Sequence, residues 1–445
     1  MKTILVLGAG LSASSLLRYL SERLISEVWM LKVGNANIES LAAKYGSNER
    51  IQLIKLDASD AEQRRAEIAH VDLVISMLPA SFHPEVARDC IDLRTDLITP
   101  SYVSPSMKAL HEEALTKGVT IMNETGVDPG IDHMSAMKIM DEYREKEAKL
   151  KVFKSFCGGL IAPESDDNSW HYKFTWNPRN VVVAGQGGIA AFRQNKELKY
   201  IPYTQLFKRT ERFVIEGYGS FDGYANRDSL KYIDIYNIDE VETIYRGTLR
   251  IPDFCQGWDV LIELGLTDDS YTLEHSRLLS PRQLLNAFLP YHRVDSVEDK
   301  LKKFLRPERE HLFVLFQEIG FFKGDVFMFE QDGSPAVLLQ KLLQQAWTLK
   351  PSDKDMLVML HEFEFQHQAV CTKITSSMVA LGEDNVFTAM SNTVGLPIAM
   401  IAKQMLNGYT NPGVHIPVQK ELYLPVLKEL EEFGIKFTET ITEIK

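Results

Sequence analysis

The chain has few of the features that mark secreted, membrane-spanning or nucleic-acid-binding proteins. Only four cysteines occur in 445 residues, Cys90, Cys157, Cys255 and Cys371, and they form no CxxC pair. That spacing excludes a cysteine zinc site and fits the reduced thiols of a cytoplasmic protein. No apolar run is long enough to cross a bilayer, so no membrane association is expected. Met1 to Leu7 is apolar but meets glycines at once, and it reads as a strand, not as a signal peptide. Basic charge is scarce. The net charge of −12 argues against nucleic-acid binding through a basic stripe. His361 and His367 have neither HExxH spacing nor a shared helical face, so no metal is expected. Internal repeats and low-complexity stretches are also missing. With 45% hydrophobic and 25% charged residues, what remains is an ordinary globular protein, long enough for two or three cores.

What is present begins with a nucleotide-binding pattern. Ile4-Leu5-Val6-Leu7 is short and wholly apolar, as a buried parallel strand should be. It leads into Gly8-Ala9-Gly10-Leu11-Ser12-Ala13 and then a helix with Leu16, Leu17 and Leu20 on one face. In this G-x-G-x-x-A form Gly8 makes the tight turn, Gly10 lets the backbone meet a pyrophosphate, and Ala13 lets the helix pack on the strand. The N–H groups at the start of the helix then receive the phosphates. Further apolar runs at Val28–Leu31, Ile51–Ile54, Val71–Ile75, Asp96–Thr99 and Val119–Met122 alternate with helical patterns. That order predicts an α/β fold, a Rossmann-type doubly wound parallel sheet. An NAD-preferring site places an acid about 20 residues beyond the glycines. No acid lies between Glu27 and Glu39; Lys32 stands there instead and could face a 2′-phosphate, so NADP(H) is the expected cofactor.

Ligands of open α/β sheets sit outside the carboxyl ends of the strands. Asp57, after the third strand, is placed to meet the adenine, and the Met77-Leu78-Pro79 turn after the fourth falls over the nicotinamide half. After the fifth strand, Ser101 and Tyr102 bring two hydroxyls toward the same crevice. Asn123 to His133 follows the sixth. Its Gly126-Val127-Asp128-Pro129-Gly130 turn allows close backbone approach to a ligand, and Asp128 is the charged side chain between the two glycines.

From Leu150 the pattern changes to alternating stretches with glycine-rich turns, which predicts a mixed or antiparallel sheet. Phe153 to Leu160 reads as a strand ending at Gly158-Gly159, with Cys157 at its mouth. Arg227 and Arg250 stand in loop or strand-end runs, and Arg is the side chain for bidentate carboxylate recognition. Leu266 to Lys323 reads as helical, with Ser280-Pro281 and Ser296 as helix starts. Met356 to Gln368 alternates like a strand, and the last stretch returns to helices.

Taken in order, several blocks resemble the NADP-dependent, L-glutamate-forming saccharopine dehydrogenases. They are Phe82-His83-Pro84, Ser101-Tyr102, Asn123-Glu124, Asp128-Pro129-Gly130-Ile131-Asp132-His133, Cys157-Gly158-Gly159, Asn226-Arg227-Asp228-Ser229 and Arg246-Gly247-Thr248-Leu249-Arg250. The resemblance covers nearly the whole chain. It implies an NADP-binding Rossmann domain (1–130 with about 390–445), an α+β substrate-binding and dimerisation domain (131–265 with about 324–389) and a small helical domain (266–323). It implies reduction of the imine of L-glutamate and 2-aminoadipate 6-semialdehyde to saccharopine, or the reverse oxidation, by a cytoplasmic homodimer. Carried over by motif, Ser101, Tyr102, Asp128, Arg227, Thr248, Leu249 and Arg250 would contact this amino-acid substrate. Asp128, Tyr102 and Cys157 would serve the chemistry. Gly8, Ala9, Gly10, Leu11, Lys32, Asp57, Ala58, Leu78, Val127, Asp128 and Trp176 would contact NADP. The family often has Arg where this chain has Lys32. A related imine reductase such as carboxynorspermidine dehydrogenase, or a non-catalytic NADP-binding regulator, is the alternative.

Overall fold

The structure, a computed structural model, describes residues 2–22, 29–324 and 329–444. Val28, expected to open the second strand, lies outside them, as do residues 325–328 of the expected second domain. The chain divides into two compact units, Met1–Ala148 with Met378–Phe437, and Lys149–Ser377 with Thr438–Lys445. Residues 131–148, which the resemblance gave to the second domain, thus pack in the first unit, and 438–445, which it gave to the first domain, in the second.

Along the first unit run β1 (Lys2–Leu7), β2 (Trp29–Asn35), β3 (Ile51–Lys55), β4 (Leu73–Ser76), β5 (Asp96–Ile98) and β6 (Thr120–Met122). All their pairings are parallel. The spatial order β6-β5-β4-β1-β2-β3 reverses direction between β1 and β4, the switch point where doubly wound sheets bind ligands. Ile4–Leu7 of β1 and Leu73–Ile75 of β4 are apolar and wholly buried because helices cover both faces. On one face Leu5, Leu7, Val74, Leu97 and Ile121 pack with Ile68, Val86, Ala87, Cys90 and Ile91. Trimming one such Leu to Ala costs about 2–5 kcal/mol. The helix Ser14–Glu22 lies against the late helix Ala389–Leu406. Their approach is close because Gly395 has no side chain; a Cβ there would stand 2.6 Å from the Leu16 nitrogen. Ser15 and Ser391 share a hydroxyl hydrogen bond of 2.9 Å at this crossing.

The second unit holds β7 (Lys149–Ile161), β8 (Ile189–Gln194), β9 (Glu197–Pro202), β10 (Glu211–Ile215), β11 (Gly219–Ala225), β12 (Thr243–Arg250), β13 (Asp355–His367) and β14 (Val370–Leu381). The last stretch, read from the pattern as returning to helices, also holds two strands. β15 (Gly413–His415) joins the first sheet beside β6, and β16 (Phe437–Ile444) joins the second beside β14. The second sheet is mixed, as expected: β12 pairs β7 in parallel, whereas β11 and β13 pair antiparallel with their neighbours.

Two expectations here need correcting. β7 does not end at Gly158-Gly159 but runs on to Ile161, and Cys157 lies mid-strand, opposite Thr248 and Met359. The reason is packing, since a Cβ at Gly158 would sit 2.5 Å from the Leu249 carbonyl oxygen. The stretch 266–323 is also not helical throughout. Only short turns occur before the helix Pro281–Phe288, which Ser280 starts with a capping box to Gln283. Val297–Arg309 follows from the Ser296 cap, and then Phe313–Glu318. Among the described residues no helix is long and apolar enough to cross a membrane.

Candidate active site

The glycine turn has the shape a dinucleotide needs. Gly8 takes φ +86°, and a Cβ there would press on the Met77 carbonyl at 3.2 Å and the Leu78 side chain at 3.3 Å. Only glycine fits this conformation and this gap without strain. Its N–H donates to the Gly34 carbonyl at 2.9 Å, tying the turn to the end of β2. Gly10 is the opposite case: a Cβ there would meet nothing within 4 Å. No side chain caps the helical start Leu11–Ala13, whose first N–H groups have no partner within the helix. Open space above Gly10 and a helix start that no side chain caps fit a pyrophosphate. Ala9 and the exposed Leu11 border that space.

At the expected adenosine end, Lys32 already has an acidic partner. That residue lies three positions before the end of β2, and its Nζ meets Glu67 Oε2 at 3.0 Å. Its charge is therefore already compensated. The strand ends on Asn35, followed by Ala36 and Asn37, so no carboxylate stands there to repel a 2′-phosphate. Asp57 is exposed and accepts from the Ser59 N–H at 2.9 Å and the Ser59 hydroxyl at 2.7 Å. These bonds hold its pKa below the usual carboxylate value. The Ala58 carbonyl receives a hydrogen bond of 2.5 Å from the buried Arg64, which also pairs with Asp89 at 2.6 Å.

The ends of β5 and β6 carry the polar core of the first unit. Ser101 follows β5, and its Oγ lies 2.9 Å from His83 Nε2. The same nitrogen is 2.9 Å from Thr99 Oγ1, while His83 Nδ1 is 3.1 Å from Ser76 Oγ at the end of β4. Burial alone lowers the His83 pKa to about 4, so the ring is neutral at physiological pH. On the other side Glu124, in a left-handed conformation at φ +55°, accepts from the Val103 N–H at 3.0 Å and lies 2.8 Å from His133 Nε2. Between these two supports Tyr102 projects, 44% exposed, and donates its hydroxyl to Asp128 Oδ1 at 3.2 Å. Asp128 is half-buried, whereas Val127 is buried. The turn beneath them closes so tightly that a Cβ on Gly130, at φ +148°, would lie 2.0 Å from the Gly126 oxygen. The Gly130 N–H donates to Asp132 Oδ1 at 2.6 Å. A carboxylate paired with a phenol on a rigid turn can stabilise a cation and move a proton.

In the second unit the expected substrate residues gather around the end of β12. Arg250 is 4% exposed. Its Nη1 donates to the Leu249 carbonyl at 2.8 Å, and its guanidinium carbon lies 5.1 Å and 5.3 Å from the ring centres of Tyr172 and Phe254. Among the described residues no carboxylate pairs with it, and its Nε has no partner. A buried cation without an acid is chemically suited to accept an anion, which would compensate its desolvation. Thr248 donates to Asn226 Oδ1 at 2.8 Å, which fixes both side chains. Leu249 is wholly buried, and Cys157 is buried within β7. Arg227 is exposed, held through its backbone carbonyl by the Ala191 N–H at 2.7 Å. Trp176 is half-buried and follows Trp170 and Tyr172, which pack in an aromatic cluster with Phe254 and Trp347. The roles of His83, Glu124 and Asn226 were not read from the sequence, although the motif blocks contain all three; their partners come from other strands.

A switch-point glycine turn, an uncapped helix start and neutral residues after β2 define the first unit as a Rossmann-type dinucleotide-binding module. The comparisons with known proteins make this specific. The family model "Saccharopine dehydrogenase NADP binding domain" matches residues 4–122, and "Saccharopine dehydrogenase C-terminal domain" matches residues 126–435. The chain belongs to the saccharopine dehydrogenase family. It is 32% identical to the saccharopine dehydrogenase [NADP(+), L-glutamate-forming] of Saccharomyces cerevisiae, over 98% of this chain and 99% of that one. It is also 32% identical to the mitochondrial alpha-aminoadipic semialdehyde synthase of Rattus norvegicus, over 98% of this chain but 47% of that longer protein. The apo structure of the Saccharomyces cerevisiae L-Glu-forming enzyme superposes with a TM-score of 0.89 at 29% identity, covering 99% of this chain and 100% of that one.

Proposed function

We propose that this protein is an NADP(H)-dependent saccharopine dehydrogenase of the L-glutamate-forming type. It interconverts saccharopine with L-glutamate and 2-aminoadipate 6-semialdehyde in lysine metabolism. The observation that carries this reading is end-to-end similarity: both family models match in order, and a relative of that name aligns over nearly the full length of both chains. The chemistry of the side chains agrees. Saccharopine has three carboxylates and a secondary amine, so its binding calls for cations at the acids and a carboxylate near the nitrogen. Arg250, buried without an acid, and the exposed Arg227 suit the carboxylates. The Asp128–Tyr102 pair suits the nitrogen.

When bound, NADP(H) supplies the hydride chemistry. The chain's part is to bind, orient and handle charge. In the oxidative direction the nitrogen becomes part of a positively charged C=N unit, and the Asp128 carboxylate stabilises that charge. The Tyr102 hydroxyl moves the proton of the amine, and water then divides the imine into glutamate and the semialdehyde. Cys157, buried in β7 of the second unit, is the alternative carrier of that proton. The reading also includes a cytoplasmic homodimer, which sedimentation of the purified protein and fractionation of cells check.

The test is NADPH formation on adding saccharopine to purified protein, run beside NAD. The expected result is rapid reduction of NADP with glutamate and the semialdehyde as products. Folded protein that binds NADPH but oxidises no saccharopine would overturn the substrate and keep the fold.

A further inference from the structure

We infer that His83 is a positioning residue, holding the Ser101-Tyr102 turn in the one orientation that aims the Tyr102 hydroxyl at Asp128. This rests on the reading above, in which Tyr102 and Asp128 act at the substrate nitrogen. Three observations lead to it, and none concerns a charged imidazole.

The first is connectivity. The two ring nitrogens of His83 reach Ser76 at the end of β4 (3.1 Å) and Thr99 and Ser101 at the end of β5 (both 2.9 Å). One planar side chain thus fixes the relative height of two strand ends, immediately before the residue that carries the phenol. The second is economy of support. Tyr102 is itself 44% exposed, so packing does little to hold its backbone. Its neighbours do that work: the Ser101 side chain through His83, the Ser101 backbone through the Glu124 N–H (3.1 Å) and Thr99 Oγ1 (3.3 Å), and Val103 through the Glu124 carboxylate at 3.0 Å. The third is accessibility. His83 is 2% exposed and sits below the turn, so it meets no ligand and acts through Ser101. A shift of the turn by about 1 Å would break the 3.2 Å contact between Tyr102 and Asp128, and misplacement of that size lowers turnover by about 100-fold.

The test is a double-mutant cycle with Tyr102→Phe, which removes the phenol hydroxyl and leaves the ring. His83→Ala alone is expected to lower kcat about 100-fold while the KM for NADP changes less than about threefold. His83→Gln, which keeps a donor and an acceptor, is expected to recover at least tenfold of that loss. On the Tyr102→Phe background His83→Ala is expected to lower kcat little further, because the group it positions has gone. Fully additive losses, or a His83→Ala variant with wild-type kcat, would overturn the inference. If His83→Ala does not fold, His83→Phe, which keeps a ring but neither ring nitrogen, carries the same cycle with Tyr102→Phe. Crystallography supplies an arm independent of activity: the Tyr102–Asp128 contact should be broken in His83→Ala and kept in His83→Gln. Should the wild type oxidise no saccharopine, the functional reading fails, and this structural arm still decides whether His83 sets the turn. An unmoved Tyr102 in folded His83→Ala refutes the positioning role.

Discussion

Arg250→Met separates a binding role from a structural one, because the two predict opposite signs. Arg250 is 4% exposed and has no carboxylate partner among the described residues. Burying an unpaired charge costs several kcal/mol. Against this stand one charge-assisted hydrogen bond to the Leu249 carbonyl, worth about 2 kcal/mol, and two aromatic faces at 5.1 and 5.3 Å, together worth about 2 kcal/mol when desolvated. The terms nearly cancel in the free protein, so an apolar chain of similar length should leave stability unchanged or slightly raised. Substrate binding behaves oppositely. Deleting one partner of a desolvated ion pair costs about 2–5 kcal/mol, and the lower figure is already roughly a 30-fold loss at 1.4 kcal/mol per decade. The variant should therefore keep its melting temperature and its affinity for NADPH while kcat/KM for saccharopine falls about 30-fold or more. Steady-state kinetics with saccharopine varied, and thermal melting of the same preparation, read both. A melting temperature that drops by several degrees with kcat/KM intact would refute the reasoning and make Arg250 a strut of the second sheet.

Other outcomes follow from the first unit. Asp128→Asn should lower turnover by a factor of 100 or more and leave the Kd for NADPH within about threefold, as fluorescence titration can show; equal turnover would remove Asp128 from the chemistry. Gly10→Ala, whose new methyl meets nothing within 4 Å, should melt like the wild type yet bind NADPH at least tenfold more weakly, since the methyl occupies the approach to the pyrophosphate. His83 makes stability depend on pH. Its pKa is lowered by burial from 6.5 to about 4, so above pH 6.5 the ring is neutral in both folded and unfolded chains and no penalty arises. Between pH 6.5 and 4 the unfolded chain takes up a proton that the native one refuses, so stability falls with pH, by up to about 3 kcal/mol at 1.36 kcal/mol per unit. In His83→Gln the loss of melting temperature across that window should be smaller; an identical slope would mean that other groups set it.

The Rossmann half was legible because its signals are local. Ile4 to Leu7 is buried on both faces, and the glycine turn follows within the same few residues. Tyr102 and Asp128, each placed after a strand of that sheet, prove to be hydrogen-bonded to each other. What escaped is set by distant neighbours. Gly158 reads as a strand breaker until Leu249 is seen pressing against it. β15 spans only Gly413–His415, too short for a periodic signal, and β16 has polar and apolar residues alike exposed, so no buried face marks it as a strand. The ion pair of Lys32 with Glu67 joins residues 35 apart in sequence, and no spacing rule announces it. The role of His83 depends on three hydroxyls from two other strand ends, which no spacing rule connects.

The crossing of Ser14–Glu22 with Ala389–Leu406 also governs how the protein can be made. Ser15 and Ser391 are 376 residues apart, so during synthesis the first sheet emerges long before the helix that closes one of its faces. Leu16 and its neighbours at that crossing must wait, uncovered, while the whole second unit is translated. Closing so large a loop is slow, and an uncovered apolar face is open to aggregation meanwhile. The nucleotide-binding unit should therefore not survive as an excised N-terminal fragment. Its expression would require the returning residues 378–437 to be supplied, either fused by a linker or added as a second chain.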